Sequence, residues 1–218
     1  ILDVGCGLGG NIEYLRSKGY ELDALSPDDY QRSEIYNKFN GDVPFYHCKF
    51  EKFMPEKQYD LIIESESVCY IKMNEGFKMA RKALRNDGFL LASDYFIHFR
   101  DSSKSPLLKS SHGLSEYLSY AEKNGFTLVK EFDQTENTMI TLDYAKYLIE
   151  RFVFPTIDYG LFSAKRKYPK ILKFIKKITM EKWIEKKNQL DLIDSSLFRK
   201  YRKYMIYLFQ KKSNARYN

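Results

Sequence analysis

The sequence is poor in the residues that build metal centres and disulfide frameworks, with three cysteines, three histidines and one tryptophan in 218 positions. Cys6, Cys48 and Cys69 are odd in number, scattered, and without metal-ligand spacing, so neither a disulfide scaffold nor a metal site is expected. They read as small buried hydrophobes of a reducing compartment, and a cytoplasmic protein is the expectation. No Ser/His/Asp or Cys/His arrangement suggests nucleophilic catalysis. No apolar run approaches the roughly 20 residues that span a bilayer, and no secretory signal opens the chain. Internal repeats and low-complexity tracts are also lacking. The chain begins inside an apolar strand, Ile1-Leu2-Asp3-Val4, where natural domains rarely start, so an upstream segment is expected.

What is present fits one folded domain with at most one elaboration: 44% of residues are hydrophobic and 30% charged. The net charge of +7 is unevenly placed. Residues 137–203 hold 16 Lys and Arg against 7 Asp and Glu, which leaves −2 for the remainder. The basic character therefore belongs to one segment.

Up to about residue 100, apolar strands alternate with helical stretches, the pattern of a parallel sheet with crossover helices. Strands are expected at Ile1–Val4, Leu22–Leu25, Val43–His47, Asp60–Ile63 and Phe89–Ala92. Helices are expected at Asn11–Lys18, from a Ser26 cap with Pro27 at the first helical position and the acids Asp28 and Asp29 behind it to about Phe39, and at Glu75–Leu84, the last stopped by Asn86-Asp87-Gly88. A helix at Ser115–Lys123 and strands at Phe126–Phe132 and Tyr204–Phe209 follow. The expected fold is α/β: a Rossmann-like, seven-stranded, mostly parallel sheet with helices on both faces and a helical insertion between strands six and seven.

Asp3-Val4-Gly5-Cys6-Gly7-Leu8-Gly9-Gly10 lies between a strand and a helix, which turns a glycine pattern into evidence of ligand binding. Glycines let the backbone approach a ligand closely, and the helix start offers free amide donors. As Gly5, Gly7, Gly10 the turn fits a dinucleotide fingerprint. As acid-x-Gly-x-Gly-x-Gly it resembles motif I of the Rossmann-like, class I S-adenosylmethionine-dependent methyltransferases. Asp3 discriminates, because a cationic ligand wants a carboxylate beside the turn and a pyrophosphate does not.

The resemblance continues to residue 135 and takes in strand seven. Leu22–Pro27 resembles the family's second-strand end, with Ala24 in the place of the ribose-binding acid and Asp23 one residue early. Branches similar to cyclopropane fatty-acid synthases and tocopherol methyltransferases also lack that acid and use a nearby glutamine, here Gln31. Cys48–Phe53 resembles the adenine loop, with Lys49 replacing its usual Asp. Glu66-Ser67-x-x-Tyr70 is similar to a stretch of terpenyl-diphosphate C-methyltransferases. By that resemblance Asp3, Gly5, Cys6, Gly7, Gly9, Leu25, Ser26, Gln31, Phe50 and Glu51 would bind S-adenosylmethionine. Glu66, Tyr70 and His98 are the catalytic candidates, with Glu66 placed best for a base, while His112 follows strand five as His98 does.

The expected domains are a cofactor-binding core, 1–136 with 204–218, and a basic, aromatic insertion, 137–203. Ile171, Leu172, Phe174, Ile175 and Ile178 recur at helical spacing in the insertion, near Trp183. Such a stripe most often packs on a core, whereas the resemblance suggests a lid over the acceptor. The expected function is methyl transfer to a small, largely apolar acceptor through an oxygen, nitrogen or carbon nucleophile. An RNA-modifying or RNA-binding protein is the alternative, and the large hydrophobes between the lysines argue against nucleic acid. A nicotinamide-dependent oxidoreductase and a non-catalytic relic are further alternatives, and a homo-oligomer stays open.

Overall fold

The computed structural model describes residues 1–98, 112–168 and 193–213. They fall into two units, 1–98 with 112–134 and 203–213, and 135–168 with 193–202.

The first unit is a seven-stranded sheet. Its strands are β1 (Leu2–Val4), β2 (Asp23–Leu25), β3 (Phe45–Tyr46), β4 (Tyr59–Ser65), β5 (Leu84–Ile97), β6 (Phe126–Asp133) and β7 (Arg202–Lys211). Their spatial order is β3-β2-β1-β4-β5-β7-β6. Strands β1 to β5 pair in parallel, and β6 and β7 form an antiparallel pair. The chain steps outward from β1 in one direction and restarts at β4 in the other, which opens a crevice beyond their carboxyl ends.

Helices cover both faces because successive strand residues point to opposite sides. One face buries Ala24 with Cys6 under Ile12 of α1 (Gly10–Arg16) and Ile35 of α2 (Asp29–Lys38). The other buries Leu2, Val4, Leu25, Ile62 and Leu90. Phe77 and Ala80 of α3 (Met73–Ala83) and Tyr117 and Ala121 of α4 (Leu114–Lys123) cover that second face. Each large apolar side chain removed from water contributes about 1.5–3 kcal/mol.

Two local expectations are corrected. The cap of α2 is Asp28, whose carboxylate accepts the Gln31 N–H at 2.8 Å, so Pro27 precedes the cap and is not the first helical residue. The stop after α3 is no separate turn, because β5 already begins at Leu84. Between the pairs Tyr59↔Leu84 and Leu61↔Phe89 it bulges outward through Asp87 at φ 60°. Gly88 is needed there because a side chain would meet the carbonyl oxygens of Arg85, Tyr59 and Asp60 at 3.0–3.3 Å.

The second unit comprises α5 (Thr135–Leu148), a wider π-type stretch at Ile149–Val153, α6 (Phe154–Lys167) and α7 (Ser195–Tyr201). Asp194 caps α7 and pairs with Lys146 at 2.7 Å, while Arg199 grips Glu136 through two hydrogen bonds of 2.8 Å. Tyr144, Tyr147, Phe152, Tyr159 and Phe162 are exposed. The stripe over 171–178 and Trp183 lies outside the described residues. No described helix is long and apolar enough to cross a membrane.

Candidate active site

At the crevice the turn after β1 runs through the left-handed region at Gly5, Gly7 and Gly9, with φ of 74°, 53° and 78°. The three glycines serve different ends. A side chain at Gly5 would lie 2.5 Å from Ser67 Cβ, and one at Gly9 would meet Ile35 and Phe39 at 2.7–2.8 Å. Those two positions permit close packing within the protein. A side chain at Gly7 would meet nothing within 4 Å, so its open face is free for a ligand.

A cavity of about 380 Å³ opens beside this turn, within the size range of small-molecule sites. Val4, Gly5, Leu25, Ser26 and Gln31 line it from β1, β2 and α2, and Phe50 and Glu51 from the loop after β3. Glu66, Ser67, Tyr70 and Ile71 contribute from the exit of β4. Eight of the expected residues thus meet at one place: Gly5, Leu25, Ser26, Gln31, Phe50, Glu51, Glu66 and Tyr70.

The other candidates lie elsewhere. Asp3 sits behind the turn, 1% exposed; one carboxylate oxygen accepts from the Asn11 amide at 3.4 Å and the other has no partner. Burial raises its pKa to about 6, against the lowering effect of Asn11. The Cys6 side chain points into the core under α1 and α2, and burial pushes its thiol up to about 12. Only its backbone is available to a ligand. Gly7 and Gly9 lie in the turn outside the cavity lining, and His98 is an exposed residue just past β5, also outside it. His112 turns Nε2 to the carbonyls of Val68 and Ile71, 3.0 and 2.8 Å away, and so ties down the loop that carries Tyr70. Asp23 is held by the Tyr59 hydroxyl at 2.7 Å and by Lys57 at 2.8 Å, which leaves it no route to a ribose. Gln31, by contrast, presents an unpartnered buried Oε1 and lines the cavity.

Glu66 has a left-handed backbone, φ 56°, an uncommon conformation for a residue with a side chain. Its N–H donates to the Ser93 carbonyl at 2.9 Å and its carboxylate accepts from the Tyr204 hydroxyl. Tyr204 on β7 was not a candidate from sequence, and nothing local signals a partner 138 positions away. Ser67 was missed as an anchor: its hydroxyl donates to the Val4 carbonyl at 2.7 Å and fixes the β4 exit against β1. Glu64 was also missed, a buried acid on β4 whose pKa burial raises to about 8, with further raising by Asp94 and Glu51. An acid directly after Leu61-Ile62-Ile63 was its only sequence signal. Among the described residues no cluster of His, Cys, Asp and Glu could hold a metal ion.

The model of a family described as a methyltransferase domain matches residues 2–92, the stretch that builds the turn, the cavity and the exit of β4. Over residues 2–92 the chain is thus similar to a methyltransferase domain. An uncharacterised methyltransferase of Staphylococcus carnosus is 30% identical over 97 residues, 43% of this chain and 46% of that protein, so the match spans less than half the relative's length. Solved structures share the fold of the methyltransferase domain and its flanking elements. One, assigned as a sarcosine dimethylglycine methyltransferase of Galdieria sulphuraria, superposes with a TM-score of 0.71 at 17% identity, over 97% of this chain and 77% of its own. A cyclopropane synthase of Mycobacterium tuberculosis gives 0.68 at 17%, over 96% and 77%. The geranyl diphosphate C-methyltransferase of Streptomyces coelicolor, solved with Mg²⁺, geranyl diphosphate and S-adenosyl-L-homocysteine, gives 0.68 at 14%, over 96% and 71%.

Proposed function

We propose that the protein transfers a methyl group from S-adenosylmethionine to a small, largely apolar acceptor. The observation that carries this is a pair of orphaned buried oxygens, Asp3 Oδ2 behind the glycine turn and Gln31 Oε1 on a residue of the cavity lining. A buried polar atom without a partner is costly unless a ligand satisfies it. The two suit the cofactor's ammonium and ribose hydroxyl, and a pyrophosphate would be repelled by Asp3. Phe50 gives the adenine an apolar wall, and Glu51 lines the same end of the cavity.

When bound, S-adenosylmethionine supplies an electrophilic methyl group on a sulfonium and leaves as a neutral thioether. The protein's task is to place the acceptor in line and take up its proton. Glu66, on the cavity wall at the β4 exit, is the proposed base for a proton on the attacking atom, with its carboxylate oriented by Tyr204. Tyr70, 82% exposed on the neighbouring turn, offers an aromatic face to an apolar acceptor. His98 is retained as a catalytic candidate only through its place after β5.

The insertion, residues 137–203, is proposed to contribute apolar binding surface, supported by the exposed aromatics of α5 and α6. The names of the three fold neighbours differ in the chemistry they state, so the choice of acceptor rests on this chain's own residues. Incubation with methyl-labelled donor and a panel of apolar amines, phenols and prenyl compounds tests the proposal. Label in an organic-extractable product supports it. Label that appears only in added RNA, with binding that falls steeply with salt, overturns it.

A further inference from the structure

Four acids of the first unit are matched by cations: Asp23 by Lys57, Glu13 by Lys38, Asp60 by Arg85 and Asp133 by Lys203. At the crevice the pattern stops. Glu51, Glu64, Glu66 and Asp94 make no ion pair among the described residues, although the backbone N–H of Lys72 donates to Glu51 and those of Cys69 and Tyr95 donate to Asp94. Glu64 is the extreme case. It is 3% exposed and lies on β4 directly beside Val4 of β1, and its carboxyl has neither hydrogen bond nor ion pair among the described residues.

Glu64 lines a small void of about 10 Å³ that it shares with Val68, Ile71, Gly76, Phe77 and Tyr117. The Tyr117 hydroxyl is buried without a partner. Ile71 lines both this void and the large cavity. The titratable groups that face Glu64 are Glu51 from the loop after β3, Asp94 from β5 and Tyr117 from α4. Strand β1 contributes Val4, and α3 contributes Met73, Gly76 and Phe77, none of them charged. An isolated buried carboxylate among other acids takes up a proton rather than stay charged. A cation brought into the neighbouring cavity reverses that balance.

Resting on the assignment of this cavity to S-adenosylmethionine, we propose that Glu64 reads the charge of the bound donor. It keeps its proton while the cavity is empty or holds the neutral thioether product, and gives the proton to solvent when the sulfonium is bound. The pKa near 8 of the empty state is consistent with this. After transfer the positive charge has left the sulfur, Glu64 recovers a proton from solvent, and its attraction for the spent cofactor vanishes. The carboxylate thereby favours exchange of product for donor without touching the acceptor.

Calorimetry tests the proposal without an acceptor. Binding of S-adenosylmethionine and S-adenosylhomocysteine is measured at pH 7 in buffers of different ionisation enthalpy. Both ligands carry the same ammonium, ribose and adenine, so the response of Asp3 to those groups cancels in the difference, and what Asp3 adds through the sulfonium remains in Glu64→Gln. The charged donor is expected to release on the order of half a proton more than the thioether. Its affinity relative to the thioether should rise roughly five- to twenty-five-fold between pH 6 and pH 8. Glu64→Gln, which mimics the protonated acid, should remove most of both effects and keep thioether binding, whereas Glu66→Gln should leave the proton difference in place. Equal proton release for the two ligands in the unaltered protein overturns the proposal, as does a difference that survives undiminished in Glu64→Gln. Binding of neither ligand overturns the cofactor assignment itself, a result distinct from binding of both with equal release.

Discussion

Replacing Glu64 by glutamine removes a titration that the ligand-free fold makes costly. The carboxyl moves from 4.5 when exposed to about 8 in the folded protein. A raised acid stabilises the fold while it is protonated in both states. That contribution is complete below about pH 4.5 and is lost as the pH climbs through about 8. At about 1.4 kcal/mol per pH unit the full loss approaches about 5 kcal/mol, and relaxation of the surroundings reduces it to roughly 3 kcal/mol. Asp3 adds a loss of the same sign between pH 3.8 and about 6 in both proteins. Urea unfolding at pH 5, 7 and 9 measures the difference. Glu64→Gln should match the unaltered protein within about 1 kcal/mol at pH 5 and exceed it by roughly 3 kcal/mol at pH 9. Parallel stability profiles, or a Glu64→Gln protein that is weaker at pH 9, would refute the buried and unpaired state of Glu64.

Other substitutions separate packing from binding. Gly7→Ala, with open space around it, should cost only about 1–2 kcal/mol from its left-handed backbone, yet weaken S-adenosylhomocysteine by roughly tenfold or more. Gly5→Ala should cost at least about 3 kcal/mol, since its side chain would overlap Ser67, and the two unfolding midpoints compared side by side check the contrast. Tyr59→Phe removes the buried hydrogen bond to Asp23 and should lower stability by about 1–3 kcal/mol in the same assay. Tyr204→Phe should leave S-adenosylhomocysteine affinity unchanged and shift the pH profile of methyl transfer, because it touches Glu66 and lies outside the cavity lining.

The sheet was legible in the sequence because its strands are short apolar runs between glycine, proline and acidic punctuation, and because Asp3 and the glycines stand at a strand-to-helix junction. Four features were not legible, each for a physical reason. The strand β4 reads as ending at Ile63, since an acid normally marks the surface, but Glu64 continues it into the core. Leu84 reads as the last residue of a helix, because the outward bulge at Asp87 looks locally like a helix stop. Asp28 rather than Ser26 caps α2, a choice between neighbouring side chains that only backbone geometry decides. The Glu66–Tyr204 contact depends on β7 returning beside β5, and no local pattern reports it. Of the site itself, the cavity lining was mostly anticipated, while the partners that orient or charge it were not.

The most direct test of the central claim is calorimetric titration of the ligand-free protein with S-adenosylhomocysteine, set beside Asp3→Asn and beside a nicotinamide dinucleotide. The expected result is one site per chain for S-adenosylhomocysteine, a roughly 10- to 100-fold loss of affinity in Asp3→Asn, and no heat from the dinucleotide. Saturable binding of the dinucleotide without binding of S-adenosylhomocysteine would contradict the assignment, and so would an Asp3→Asn protein that binds S-adenosylhomocysteine undiminished.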